Sequence, residues 1–465
     1  MTPSGKIPFS EKIGYSLGDT ASNIFWQTFS FFLLYFYTDV FGIAAAAAGT
    51  MFLITRIWDT LIDPVMGVIA DRTESRWGKF RPYLLWTALP FGIIGVLTFI
   101  TPDFGPAGKL IYAYVTYSMM MTVYTAINIP YSALMAVMSP DSQERTKLAS
   151  FRFVAAFAGG LMVQYTANDM VKYFGRGNEA VGWQWTMTVY AAVAVVLFLI
   201  SFATTRERVL PPKAQKSNLK EDLVNLCKNG PWVILFGAGI CLMTYVSIRN
   251  GTIIYYFKYL VNDREIHLFG NVWQVSHGKL ASMFMVVGSI ANIVGVLFAP
   301  LVARYVGKVR GYILMMVLAS VLTAIYWILV PADVIWMFVL QVLISLVMGP
   351  MSPILWSMYT DATDYSEWKY GRRATGLVMS ASTMAQKFGW TIGGGIAGWL
   401  LAAYGFKANI TQSAAAISGI AMMMSVFPAI GGILGAFLMF FYRLDNKTMK
   451  KIEEELEQRR RSLDL

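Results

Sequence analysis

Cysteine and histidine are nearly absent: there are two of each in 465 residues. Cys227 and Cys241 lie one in a polar stretch and one in an apolar run, so no disulfide framework is implied. His267 and His277 share one polar loop, which leaves almost no material for a histidine-based metal site or a catalytic triad. Charge is scarce as well. Only 14% of residues are charged, against about 25% in an average soluble domain. Those charges cluster between long apolar runs, a pattern that excludes a soluble enzyme, a disordered chain and a secreted scaffold. No short apolar segment with a small-residue cleavage site precedes the first long run, so residues 1–12 are expected to be a retained N-terminus.

What the chain has in abundance is apolar surface, at 56% hydrophobic residues. Twelve membrane helices need about 20 apolar residues each, and the composition supplies them. Apolar runs between charged punctuation fall at 14–38, 43–70, 83–101, 109–138, 148–170, 184–204, 231–261, 280–303, 312–331, 334–360, 374–404 and 413–442. A lipid-exposed backbone must satisfy its own hydrogen bonds, so each run is expected to be a helix. The prediction is an all-α membrane protein of twelve transmembrane helices in two six-helix bundles. The bundles are placed at 1–204 and 231–442, with a cytoplasmic linker at 205–230 and a charged tail helix at 443–465. That tail, with Lys450–Glu454 and Lys451–Glu455 at i,i+4 spacing, reads as a solvated cytoplasmic helix.

Basic residues orient the chain. Of the 38 Lys and Arg, 27 fall in loops and tails on the side of the N-terminus, 7 on the opposite side and 4 inside spans. Such a split is a positive-inside signal that places both termini in the cytoplasm of a cell whose inner or plasma membrane holds the protein. The net charge of +11 is therefore mostly topology. Binding of nucleic acid is not expected, because no basic stripe with interleaved aromatics is present. The two halves also echo each other. Arg76-Trp-Gly-Lys-Phe-Arg-Pro-Tyr83 follows the second span, and Arg304-Tyr-Val-Gly-Lys-Val-Arg-Gly-Tyr312 follows the eighth. An internal repeat of this kind is typical of secondary transporters.

Charges within the spans need a reason, since an unpaired ion at mid-bilayer costs about 2.5–3.5 kcal/mol on insertion scales. Arg56, Asp59 and Asp63 share one face of the second span. Two carboxylates one turn apart make a compact negative site for a proton or a small cation such as Na⁺. The alternative is structural: the stripe pairs with Arg56 and Arg152 to hold the bundle together. Asp19 reads as a structural partner near the cytoplasmic end of the first span. Arg152, Arg249 and Lys387 are the other intramembrane cations, and the sum of charges leaves room for an anionic substrate group.

Polar residues recur in the first, fourth, seventh and tenth spans, equivalent positions of a fourfold three-helix repeat. They are Ser22 and Asn23; Tyr124, Thr125 and Asn128; Arg249-Asn250-Gly251; and Gly349-Pro350-Met-Ser352-Pro353 with Trp356. Thr383 and Lys387 lie one turn apart on the eleventh. This reads as the lining of one cavity whose amides and hydroxyls can bind sugar hydroxyls. Trp26 and Trp356 could stack on a sugar ring, although packing is the commoner role of such residues. Pro130, Pro350 and Pro353 are expected to break helices. Gly393-x-Gly395-x-x-Gly398 matches a dinucleotide fingerprint but lies inside an apolar span, and Gly394 with Gly398 reads better as a helix-packing pair.

From Lys12 to about Lys451 the chain resembles the glycoside–pentoside–hexuronide:cation symporters, the major facilitator branch that includes the melibiose carrier. The resemblance rests on Gly14-Tyr-Ser-Leu-Gly-Asp-Thr-Ala-Ser-Asn23, Tyr37-Thr-Asp-Val40, Arg56-x-x-Asp-x-x-x-Asp-Pro-x-Met-Gly67, Arg76-Trp-Gly-Lys-Phe-Arg-Pro82, Asn128-Ile-Pro-Tyr131, and Asp361-x-x-Asp-Tyr-x-Glu367 with Arg373. It implies a cation site at Asp59, Asp63 and Thr125, and sugar contacts from Arg152, Lys387 and Thr383. It also implies a cytoplasmic gate network of Arg76, Lys79, Arg81, Asp361, Asp364, Glu367 and Arg373. Two aspartates that hold sugar in the melibiose-type carrier correspond here to Asn23 and Asn128, and a tryptophan corresponds to Ser132. Asn23 and Asn128, with Tyr124 and Arg249, complete the expected substrate-binding set. The departures argue against a melibiose-like galactoside and tilt towards an anionic substrate, with xylosides, β-glucosides and hexuronides all open. Ile62 stands where Na⁺-using members offer a polar side chain, which favours H⁺ as the coupling ion.

The expected function is thus cation-coupled sugar symport by alternating access, with no cofactor, no metal beyond a possible Na⁺, and a monomer as the working unit. A uniporter or antiporter of the same fold, or a carrier of a non-sugar amphiphile, are the alternatives. A membrane enzyme would need a nucleophile–base pair that the spans do not offer.

Overall fold

The computed structural model describes residues 7–139, 142–208, 228–268, 271–370, 375–444, 448–449, 451–452, 454–456 and 458. Its helices follow the apolar runs. The first span is Phe9–Thr28, carried on by the wider turns Phe29–Leu33 and Phe36–Val40. Then come Ala45–Arg72, the pair Arg81–Trp86 and Ala88–Thr98, Pro106–Met138, Ser142–Gly175 and Glu179–Thr204. The seventh span is Gly230–Tyr255 with Tyr256–Val261. The eighth to tenth are His277–Val296 with Ala299–Tyr305, Lys308–Ala324 with Ile325–Ile328, and Val334–Met348 with Met351–Tyr370. Thr375–Ala403 is the eleventh, and Ala414–Met424 with Val426–Met439 the twelfth.

Eight of the described helices are long and apolar enough to cross a membrane by composition alone. The first, third, fifth and eleventh spans are not among them. The first carries Glu11, Asp19, Ser22 and Asn23, the third is broken at Thr87, the fifth begins in polar sequence, and the eleventh carries Lys387 and several glycines. One departure from an all-helical chain is a short antiparallel hairpin, β1 (Arg264–Leu268) with β2 (Asn271–Val275), in the polar loop before the eighth span. A loop of that composition gives no apolar run, so hydropathy alone did not reveal it. The prolines also divide. The fourth span runs unbroken through Pro130, whereas the tenth is interrupted at Gly349-Pro350. Pro353 falls in the first turn of the resumed helix, where its missing N–H leaves no intrahelical bond unmade.

The chain divides into two compact units. The first is Met1–Lys213 with the short pieces Gly278–Met283 and Lys407–Ile410; the second is the remainder. In the first, the opening span packs on the fifth and sixth, and the third on the sixth. In the second, the seventh packs on the eleventh and twelfth, and the ninth on the twelfth. The same pairs recur six spans later, the spatial form of the repeat seen in the two glycine–lysine loops. Gly78 and Gly307 hold those loops at φ +107° and +89°, a conformation other residues rarely adopt. Close helix packing in the eleventh span occurs at Gly389 and Gly393. An added Cβ there would lie 2.5 Å from Met243 Cβ and 2.5 Å from Ser247 Cβ.

Among its described residues, the tail is solvated on one face only. Met449, Ile452 and Leu456, at i, i+3 and i+7, are buried in the apolar core of the second unit. Glu455 accepts a 2.6 Å hydrogen bond from the Trp368 indole, and Lys451 pairs with it at 3.8 Å. Charge counting finds the exposed face of such a helix and passes over the apolar stripe behind it. Ile452 is 1% exposed, so Ile452→Ala is expected to cost about 2–5 kcal/mol, read as a lowered melting temperature of the purified protein.

Candidate functional site

A tyrosine clamp joins the first and fourth spans. The Tyr15 hydroxyl donates to the Tyr131 carbonyl at 3.0 Å, and the Tyr131 hydroxyl donates to the Tyr15 carbonyl at 2.7 Å. The two rings stack with centroids 4.6 Å apart. Gly18 makes room for this, since a Cβ there would sit 2.6 Å from the Tyr131 ring. The Gly-Tyr and Ile-Pro-Tyr sequences of these spans therefore fix the backbone frame on which the polar residues stand.

Within that frame the second and fourth spans bring Asp59, Asp63 and Thr125 together. The Thr125 hydroxyl lies 2.7 Å from Asp59 Oδ1 and 3.1 Å from Asp63 Oδ1. A threonine hydroxyl has one proton to donate, so it cannot satisfy both carboxylates at once. Asp59 is 2% exposed. Its other oxygen meets Arg56 Nη1 at 3.3 Å, and the Arg56 guanidinium lies 4.9 Å from the Trp26 ring centroid. Trp26 in turn leans on Tyr124, with centroids 6.0 Å apart. Trp26 thus has a place in packing beside the ion pair.

Arg152 is gripped by Asp19. Its Nε donates to Asp19 Oδ2, its Nη2 lies 3.3 Å from Asp19 Oδ1, and its guanidinium covers the Tyr131 ring at 5.1 Å. Ser132 Oγ is 3.5 Å from the same Nη2. The structural alternative, in which Arg152 pairs with the second-span acids, gives way to this pair. Asp19 and Arg152 lie far apart in sequence, so span-by-span reading could not join them. Asn128 accepts a 2.9 Å hydrogen bond from Ser22, and its amide donates to the Tyr124 carbonyl at 3.0 Å. Asn23 donates to the Asp19 carbonyl at 3.0 Å. Asn23, Tyr124, Asn128 and Arg152 thus form one polar group in the first unit with the carboxylate pair.

At one end of the first unit, the Gly78 turn folds around Glu207, which motif reading had passed over. The backbone N–H groups of Lys79, Phe80 and Arg81 donate to its carboxylate at 2.9, 2.8 and 2.9 Å. Arg81 Nη2 donates to the Phe202 carbonyl at 2.8 Å, and Arg76 lies on the Trp77 ring. Beside them Glu11 holds Arg208 bidentately at 2.8 and 2.6 Å and raises the pKa of its guanidinium.

In the second unit, Thr383 is exposed and Lys387 half-buried on the eleventh span, with the Lys387 carbonyl accepting from Thr391 at 2.8 Å. Asp361 is bound by Lys308 Nζ at 2.8 and 2.7 Å, so the second glycine–lysine loop is tied to the tenth span. Asp364 and Glu367 follow Asp361 on the same helix. Arg373 lies outside the described residues. Arg249, expected against substrate, is buried within its own unit on Gln341 and the Tyr326 ring.

Comparison with known proteins identifies the family. Residues 14–446 match the family described as MFS/sugar transport protein. The inner membrane symporter YicJ of Escherichia coli (strain K12) is 36% identical, over 98% of this chain and 96% of its own. The isoprimeverose transporter of Lactiplantibacillus pentosus is also 36% identical, over 97% and 92%. Among solved structures, the D-xylose–proton symporter aligns with a TM-score of 0.62 at 16% identity, over 95% of this chain and 99% of that one, which shows the shared fold. The chain therefore belongs to the MFS/sugar transport protein family, as a multi-pass membrane transporter of the glycoside–pentoside–hexuronide:cation symporter group and not an enzyme.

Proposed function

We propose that the protein imports an uncharged glycoside or pentoside together with a proton, by alternating access, with both termini cytoplasmic. The observation that carries the coupling is the pair of carboxylates converging on one hydroxyl at Thr125. A proton bound there removes the repulsion between Asp59 and Asp63. Binding of ion and sugar are then linked, each raising the affinity for the other by the same factor. H⁺ is favoured over Na⁺ because Ile62 supplies no oxygen beside the pair, while a hard cation gathers about six oxygens. Asn23, Tyr124, Asn128 and Arg152 are the sugar-binding residues proposed for the first half, and Thr383 and Lys387 those of the second.

The substrate is read as uncharged because Asp19 already answers the charge of Arg152. The relative named as an isoprimeverose transporter supports a sugar of that kind. Asp19→Asn is expected to free Arg152 and raise affinity for a hexuronide about tenfold relative to a neutral glycoside, a change of about 1.4 kcal/mol. Competition against labelled sugar measures it.

The direct test is external pH in lightly buffered, de-energised cells given xylosides, glucosides, galactosides and hexuronides in turn. Alkalinisation with one uncharged sugar, lost in Asp59→Asn and Asp63→Asn, is the expected result. Sugar entry that responds to Na⁺ and leaves pH unchanged would overturn the choice of ion. Entry indifferent to both ions would leave a uniporter.

A further inference from the structure

Arg249 sits in the seventh span and is 6% exposed. Only one of its three nitrogens is satisfied: Nη1 donates to Gln341 Oε1 at 2.8 Å. Nε and Nη2 are buried with no hydrogen-bond partner among the described residues. A guanidinium carries five N–H donors in a fixed fork and does not lose its proton. Buried donors are nearly always met by protein, water or an ion, and a buried charge needs a counter-charge or a strong set of acceptors. What surrounds Arg249 gives little of either. Its Cζ lies 5.0 Å from the Tyr326 centroid, a favourable contact that offers the guanidinium no counter-charge. Gln341 contributes a neutral carbonyl. Tyr245 is hydrogen-bonded to Thr323, Tyr326 donates to the Met337 carbonyl, and Tyr256 donates to the Met337 sulfur at 3.8 Å; all three hydroxyls are neutral and none cancels the charge. Asp333, the acid that opens the tenth span, accepts from the Val330 N–H at 3.0 Å and makes no ion pair with Arg249.

Gln341 is itself buried, and its amide fits only because residue 288 is glycine: a Cβ there would lie 2.2 Å from Gln341 Nε2. The amide nitrogen of Gln341 is a donor, as are Nε and Nη2. All of these donors belong to the second unit, and none takes part in the proposed cation site.

We propose that Arg249, with the Gln341 amide beside it, holds a small monovalent anion such as chloride within the second half of the transporter. A spherical anion meets several N–H donors at once and cancels the charge. A water molecule could accept hydrogen bonds there but would leave the charge uncancelled.

The test uses full-length protein purified in detergent. Thermal unfolding is followed while chloride replaces gluconate at constant ionic strength, and binding of radiolabelled chloride is measured on the same material. The expected result is saturable binding of one chloride per chain, competed by bromide. It comes with a rise in melting temperature on the order of 2–4 °C that saturates with chloride. Arg249→Met should abolish both responses. Gln341→Leu, which keeps the guanidinium, should weaken chloride binding several-fold, and it serves if Arg249→Met fails to fold. Wild-type protein with no saturable chloride binding would overturn the proposal, as would chloride binding that survives Arg249→Met unchanged. Displacement of chloride by a glucuronide but not by a neutral glycoside would overturn a resident anion and assign the site to a substrate carboxylate.

Discussion

Replacing Asp59 by asparagine is expected to abolish uphill sugar accumulation while leaving sugar exchange in place. One charge moving down 100 mV releases about 2.3 kcal/mol, which sustains a roughly 50-fold sugar gradient at one proton per sugar. Without a titrating group that gradient should fall to unity. The neutral amide keeps an oxygen for the Thr125 hydroxyl, now 2.7 Å from Asp59 Oδ1. It therefore resembles the protonated state, in which the carrier can bind and exchange sugar without a driving ion. Its cost is at Arg56, which loses the partner 3.3 Å away. Removing one member of a buried pair costs about 3–5 kcal/mol, so Asp59→Asn should also melt earlier. Asp63→Asn separates the two effects, because it leaves the Arg56–Asp59 pair intact. Loss of accumulation with retained counterflow in both variants supports coupling. Loss of counterflow as well would mean that the carboxylates are structural.

Gly78→Ala is expected to destabilise the protein by about 3 kcal/mol or more, for two reasons that add. The residue lies at φ +107°, and a side chain in such a conformation costs about 1–3 kcal/mol. Its Cβ would also lie 2.4 Å from the Glu207 carboxyl carbon. Relief of that clash moves the carboxylate off the three backbone N–H groups it binds, each a charge-assisted bond worth about 1.5–3 kcal/mol. The loop leads from the second span, which carries Asp59 and Asp63, into the third. Uptake should therefore fall together with melting temperature. Glu207→Gln, which keeps an acceptor but removes the charge, should produce a smaller loss. An alanine variant as stable as wild type would contradict the cradle.

The spans, the two glycine–lysine loops and the acids of the proposed cation site could be read from the chain because each is a local pattern. A run of apolar residues, a glycine before a lysine, and two aspartates one turn apart all declare themselves within a few positions. Thr125 was also within reach, because hydroxyls inside an apolar span stand out and the family resemblance gave it a role. Pairings across distant spans were not accessible in that way. Periodicity names the face on which Asp19 lies but not the helix that meets it, so its partner Arg152 emerged only in three dimensions. Arg249 shows the converse. An intramembrane cation was taken to face substrate, yet its neighbours are Gln341 and Tyr326, and its charge is left for something else to answer. Glu207 and the buried face of the tail were missed because their neighbours in sequence are ordinary polar residues.

Sugar affinity as a function of pH, measured on purified wild type and Asp59→Asn with the sugar that enters in the cell assay, tests the coupling most directly. If Asp59 and Asp63 share the coupling proton, wild-type affinity falls as pH rises and the proton leaves, while the variant shows affinity independent of pH. Wild-type affinity that is flat with pH, or a variant that keeps the same pH dependence, would contradict it.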